Sequence, residues 1–456
     1  MRQMRCIPFV VCIAAALTGC LVGPNYMRPN ISAPTQFRSG EPQPGPASLG
    51  DVKWFDLFQD DALRSLITES LQANYDIRIA AQRVLQGEGQ LAATRSGLFP
   101  QLNAQGGASR TGVNSPLDST VGVFGIASWE IDLFGKLRRA TEASRADLLA
   151  VRENQKAVMQ ILVAQVASAY FDLREYDAEL QLVRESIKTR QESLMLVMSR
   201  EEGGVGSLLD VDQAKTLVES AQANESLLES AQEQTENLIN LLLGRTPGPV
   251  ARGTSLVDQR QPPQVPAGLP SALLERRPDL RVAEQQLIAA NARVGVAKAA
   301  FYPSINLTTS GGVQTTDLLG VISRSGVAYG MSGVVDLPIF DAGRRRGDYK
   351  IAKAQDEELL ISYQKAINGA FRDVSDALVG YQKNKEHTNS VNRLAETLRD
   401  QSMLASARYV GGVSSYLEVL DTERQRLSAE QQLTQAQRDV LTSLVQLYKA
   451  LGGGWQ

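Results

Sequence analysis

The run from Lys136 to Glu202 contains 67 residues and neither Gly nor Pro, and no other feature limits the fold as strongly. Inside a helix Pro costs about 3 kcal/mol and Gly about 1 kcal/mol relative to Ala. An unbroken helix of that length extends about 100 Å at about 1.5 Å per residue. That exceeds a globular core, so such helices must pack along one another. Pro is also absent from Leu117 through Thr246 and from Ile339 through Gln456. In the last of these stretches Tyr416, Leu420, Leu427, Leu433, Val440, Leu444 and Leu447 recur at spacings of about three and four, with Gln, Glu, Arg and Ser between them. That is a coiled-coil-like seam. Periodicity alone fits a solvated rod as well.

A duplication narrows the choice. "DIRIAAQRV" from Asp76 overlays "DLRVAEQQL" from Asp279, and Pro100 overlays Pro303 in the same register. Further along, Gly203-Gly204-Val205 overlays Gly411-Gly412-Val413, and "SLLDV" faces "SYLEV". Motif order is kept in both halves, so the chain reads as two repeats of one structural unit. The expected organisation is a signal peptide over 1–19, a Pro-rich tether over 20–50, a first repeat over 51–246, a Pro-rich linker over 247–270 and a second repeat over 271–456.

Each repeat reads helix, strand, strand, helix, Gly-containing turn, helix. At Pro100 and Pro303 a helical pattern stops and a period of two begins. Pro cannot continue the helix, and it biases Phe99 and Tyr302 toward extended backbone. Strands are expected at about 100–112, 121–133, 304–314 and 327–339. Gln101, Asn103 and Gln105 face one way, and Leu102 and Ala104 the other. Strands of roughly ten residues with one apolar face suit a transmembrane barrel or a soluble hairpin. Four strands cannot close a barrel, and an open edge in lipid leaves N–H and C=O groups unsatisfied. If they enter a membrane, several chains must share one barrel. The fold class expected is thus mostly α with membrane β: a long helical barrel continued by a β-barrel.

The N-terminus carries an address. Arg2 and Arg5 precede an apolar stretch, Ile7 to Leu17, that is too short to span a bilayer and reads as a secretory signal. It ends in "LTGC", which resembles the lipobox of bacterial lipoproteins. The resemblance implies cleavage before Cys20, a lipid such as palmitate on its thiol and, with Leu21 following, delivery to the outer membrane. Cys6 and Cys12 leave with the signal, so no intrachain disulfide is expected. Six prolines over 24–50 suit an extended, poorly packed tether. A net charge of −3 offers no basic excess for nucleic acid. The single His, His387, lies in a polar "YQKNKEHTN" context, and Glu201-Glu202 reads as a solvated face. No metal site, phosphate loop or catalytic constellation is expected.

The stretches "SWEIDLFGKLRRA" (128–140), "LPSALLERRPDLRVAEQQLIAANARVGVAKAAFYPSINL" (269–307), "DLPIFDAGRRR" (336–346) and "RYVGGVSSYLEVLDTERQRL" (408–427) resemble the outer-membrane factor family of TolC/OprM-like channels. The likeness covers nearly the whole chain and points to the lipoprotein branch serving resistance-nodulation-division efflux pumps. It implies a homotrimer with a 12-stranded barrel in the outer membrane of a Gram-negative bacterium, four strands from each chain. The implied partners are a periplasmic adaptor and an inner-membrane pump, in a non-enzymatic duct for drugs or other small toxic compounds. Carried over by motif, Leu417 supplies an apolar constriction, Asp421 a carboxylate ring, and Arg424 and Tyr409 polar locks to neighbouring helices. These would act at a periplasmic tip where helices turn at Gly203-Gly204 and Gly411-Gly412. A duct for type I protein secretion and a periplasmic coiled-coil scaffold are the alternatives.

Overall fold

The structure is a computed structural model that describes residues 21–31, 34, 37, 48–111, 118–259, 266, 268, 270–316, 321 and 326–455. Cys20 lies outside the described residues. The main elements are α1 (Asp61–Ala73), α2 (Tyr75–Ser96), β1 (Gln101–Thr111), β2 (Asp118–Ile131), α3 (Lys136–Glu202) and α4 (Leu208–Leu242), followed by α5 (Pro278–Ala299), β3 (Ser304–Thr315), β4 (Val327–Asp336), α6 (Arg344–Val410) and α7 (Tyr416–Ala450). The duplication is exact in helix length: α2 and α5 have 22 residues each, α3 and α6 have 67, and α4 and α7 have 35.

Two compact units are present, one built from residues 1–31, 82–153 and 280–366, the other from 32–81, 154–279 and 367–456. The first contains an antiparallel sheet in the order β1-β2-β3-β4. Its register sets Leu102, Ala127, Thr309 and Met331 in one row, and Ala104, Gly125, Gly311 and Tyr329 in the next. The period of two therefore carries Leu102, Val123, Val327, Tyr329, Met331 and Val335 to one face, all of them exposed in the single chain. Gln101, Asn103, Gln105, Asn306, Thr308 and Ser310 lie on the other. β1 and β4 each keep one edge without a strand partner among the described residues.

Helix–strand junctions are built from local contacts. At the first, the indole of Trp129 donates to the Leu98 carbonyl at 3.1 Å. The Asp132 carboxylate then accepts from the backbone N–H groups of Leu137 and Arg138, capping the start of α3. β4 ends at Asp336, three residues short of the expected 339, because Pro338 has no N–H to give a ladder.

The second unit holds the largest apolar core. Leu63 and Ile67 of α1 meet Tyr170, Phe171 and Leu173 of α3, Ile239 of α4, and Leu444 and Leu447 of α7. Val250 and Leu256 of the Pro-rich linker belong to the same core, as does Leu273 just beyond it, so the linker is pinned at these points. Asp60 fastens it: its buried carboxylate caps α1 and accepts from Tyr170, the Thr254 N–H and Gln259 at 2.8–2.9 Å. Of the expected seam on α7, Tyr416, Leu427, Val440, Leu444 and Leu447 are buried, while Leu420 and Leu433 are half-buried.

The tether expectation is corrected in part. Residues 21–28 are not free, because Arg139 and Glu284 hold them against the first unit. Phe37 is buried in the second unit's core. Proline content marks an extended backbone, but extended backbone can still be docked.

Candidate functional site

The turns joining α3 to α4 and α6 to α7 form the end of the second unit where the expected gate residues lie. Both turns are closed the same way. Gly204 (φ +73°) and Gly412 (φ +74°) adopt the left-handed conformation that favours Gly. The N–H of Val205 donates to the Arg200 carbonyl and that of Val413 to the Arg408 carbonyl, satisfying the last turn of each long helix. The next helices start differently. Ser207 and Asp210 form a reciprocal capping box, whereas the Ser415 side chain makes no cap bond.

Four helices meet behind the turns in one apolar cluster: Val197 of α3, Val211 and Ala214 of α4, Tyr409 of α6, and Tyr416 and Val419 of α7. The rings of Tyr409 and Tyr416 are 5.2 Å apart and tilted by 54°. Arg200 places its guanidinium 4.7 Å from the Tyr409 ring centroid, a cation–π contact. The Tyr416 hydroxyl lies 3.1 Å from Ser193 Oγ. Burial raises both phenols above the usual tyrosine value. Within one chain Tyr409 thus reaches a neighbouring helix through its ring.

Leu417, Asp421 and Arg424 lie on a face of α7 that is exposed in the single chain. Leu417 is 63% exposed. Asp421 accepts from Arg424 at 3.2 Å and Gln425 at 2.6 Å, all on one helix. Within one chain the expected lock from Arg424 to a neighbouring helix is therefore an i, i+3 pair, a type worth about 0.2–0.5 kcal/mol.

A second charged group lies beneath and was missed by sequence reasoning. Arg426 bonds Glu423 at 3.0 Å and Glu430 at 2.9 Å, and Arg399 of α6 bonds Glu430 at 2.9 Å. Ser402 of α6 donates to Glu423. Arg190 of α3 is 6% exposed and donates to the Leu217 carbonyl of α4 at 2.8 Å. Burial pulls its guanidinium below the usual arginine value. Repeat comparison was the available signal: Leu194, Lys215 and Val218 stand in the first repeat where Ser402, Glu423 and Arg426 stand in the second.

Pro100 and Pro303 sit between helix and strand: α2 ends at Ser96 before β1 opens at Gln101, and α5 ends at Ala299 before β3 opens at Ser304. His387 is exposed. No helix among the described residues is long and apolar enough to cross a membrane.

Known proteins share this architecture. The family profile "Outer membrane efflux protein" matches residues 66–245 and again 269–453, one match in each repeat. The cation efflux system protein CusC of Escherichia coli O6:H1 is 34% identical over 463 residues, covering 100% of both chains. The solvent efflux pump outer membrane protein SrpC of Pseudomonas putida is 36% identical over 453 residues, 96% of each. The open state of the Neisseria gonorrhoeae MtrE outer membrane channel superposes with a TM-score of 0.87 at 32% identity, covering 96% of this chain and 99% of that one. The outer-membrane channel OprN superposes with a TM-score of 0.89 at 29% identity, covering 96% and 100%. Matched twice along its length and aligned end to end with outer-membrane efflux channels, this chain belongs to the outer membrane efflux protein family.

Proposed function

We propose that this chain is the outer-membrane exit duct of a tripartite efflux pump, working as a homotrimer whose β4 edge pairs with the β1 edge of the next copy. The observation that carries this reading is the four-stranded sheet with one apolar face, one polar face and two open edges. Unsatisfied edges cannot remain in lipid. Three copies reach the strand number of a closed barrel while putting the apolar face toward lipid and the polar face toward the lumen. CusC and SrpC are named for cation and solvent efflux pumps, which supports small toxic compounds or ions as cargo, received through a periplasmic adaptor from an inner-membrane pump. The lipobox supports a lipid anchor on Cys20 in the outer membrane.

The tip residues act as the periplasmic gate. Leu417 contributes an apolar ring around the threefold axis, and Asp421 a carboxylate ring that attracts cations. Asp421 and Arg424 exchange their weak i, i+3 pair for contacts with neighbouring helices when the duct is idle, and Tyr409 anchors the moving helix pair. Single-channel conductance in planar bilayers tests this. Conductance rises from wild type to the Asp421→Ala/Arg424→Ala variant and again when Leu417→Ala is added, while cation selectivity falls with the loss of Asp421. Unchanged conductance and selectivity in both variants would place the gate elsewhere.

A further inference from the structure

The most deeply buried charge in the first unit is not in the gate. Arg139, in the first turn of α3, is 1% exposed and belongs with the largest fully buried side chains among the described residues. An arginine can be buried only if its donors are satisfied. Among the described residues it has one carboxylate partner, Glu142 at 2.8 Å. Its other acceptors all come from the chain immediately after Cys20: the Val22 carbonyl at 3.3 Å, the Gly23 carbonyl at 3.5 Å and Asn25 Oδ1 at 2.7 Å.

The surrounding residues are shaped to this segment. A Cβ at Gly23 would meet the Gly295 backbone at 2.5 Å, and one at Gly295 would meet the Arg139 side chain at 3.0 Å. Gly135 (φ +77°) similarly leaves room for Leu21. The Val22 N–H donates to the Phe134 carbonyl at 3.2 Å, three residues beyond the end of β2. Further along, Glu284 of α5 receives Tyr26 at 3.3 Å and Arg28 at 2.9 Å.

We infer that residues 21–28 are a registration strap: docking on Arg139, Gly295 and Glu284 fixes the N-terminal anchor beside the β2–α3 junction, so that lipid and strands enter one membrane boundary together. The inference rests on the reading that Cys20 is lipidated. It assigns assembly to the docked position of the anchor, not to tethering alone, because a leash of any length would tether equally well. Arg139 is a positioning residue in this scheme.

The test uses the full-length protein in its own outer membrane. Arg139→Met removes the donors, and Gly295→Leu fills the groove from the other side. A short Gly-Ser insertion between Leu21 and Val22 leaves the lipobox, Cys20 and the contacts of residues 22–28 intact but frees the anchor. The same insertion between Gly40 and Glu41 is the control. Three quantities are read: lipid on Cys20 by mass spectrometry, chymotrypsin cleavage after Tyr26, and the amount of detergent-resistant oligomer.

With Cys20 lipidated throughout, oligomer falls several-fold in Arg139→Met, Gly295→Leu and the 21/22 insertion and holds in the control. Chymotrypsin cleavage after Tyr26 accelerates several-fold only in the two substitutions. A lipidated 21/22 variant that assembles like wild type, or a control that fails equally, overturns the strap and leaves lipid anchoring standing. A wild-type protein without lipid on Cys20 overturns both.

Discussion

Among individual residues, Glu175 of α3 links stability to pH most directly. Burial raises its carboxyl to about 7, against the opposing pull of Arg438 and with reinforcement from Glu179 and Asp172. Arg438 of α7 approaches Glu175 at 2.7 Å and also Asp172 at 3.5 Å, so one cation serves a group of carboxylates. Asp172 and Glu179 are raised as well, chiefly by burial. A raised carboxyl binds its proton more tightly when folded. Its stabilising effect is complete below the unfolded value of about 4.3 and is lost as pH climbs through about 7. The melting temperature of the detergent-solubilised protein should therefore be higher near pH 5 than near pH 8. Glu175→Gln, which stays neutral, should flatten that slope, and an unaltered slope would show that the group titrates normally. Asp60 acts in the opposite sense. Burial would raise it, but hydrogen bonds from Gln259, Tyr170 and the backbone outweigh burial and lower it, so its contribution is present at neutral pH and is lost as pH falls below the ordinary carboxylate value.

The helical hairpins depend on their turns and on the aromatic pair behind them. Gly412 holds φ +74°, where a Cβ costs about 1–2 kcal/mol. Gly412→Ala should lower the melting temperature by a few degrees without preventing assembly. Gly411→Ala, which needs no positive φ, should cost less. Equal losses would mean that the left-handed turn is not what holds the hairpin. Tyr416 is 4% exposed and packs among four helices. Truncating a large buried aromatic to Ala costs about 3–5 kcal/mol, whereas Tyr416→Phe loses only the contact with Ser193, about 1 kcal/mol. Thermal unfolding of the two variants separates packing from hydrogen bonding at the tip, and comparable destabilisation by both would contradict the packing account.

For the whole molecule the governing fact is that its sheet cannot be complete in one chain. β1 and β4 leave edges, and Val327, Tyr329 and Met331 present an apolar face with no cover from the described residues. In the proposed homotrimer the edges are closed by neighbouring copies, and lipid covers the face. Native mass spectrometry in detergent should give three chains per particle. Inserting Pro at Met331, in the middle of β4, should remove a ladder hydrogen bond and reduce that species several-fold. A stable monomer or dimer carrying folded strands would rule out the shared barrel.

The sequence by itself determined the repeat, the length of α3 and the places where helix gives way to strand. Each of these rests on local chemistry: the missing N–H and locked φ of Pro100 and Pro303, the Gly- and Pro-free run through α3, and the positive φ available at Gly204 and Gly412. The alternation of Gln101, Leu102, Asn103 and Ala104 likewise decided which face each residue takes. Only the tertiary structure decided the pairings. It joins Arg139 to Asn25 across 114 residues and turns extended tether into docked strap. It sets Arg200 on the Tyr409 ring and Arg190 beneath the tip. Within one chain it returns Arg424 to Asp421 on their own helix. Periodicity states which face a side chain occupies, but the partner on that face is set by packing between segments far apart in the chain, and no local rule encodes it.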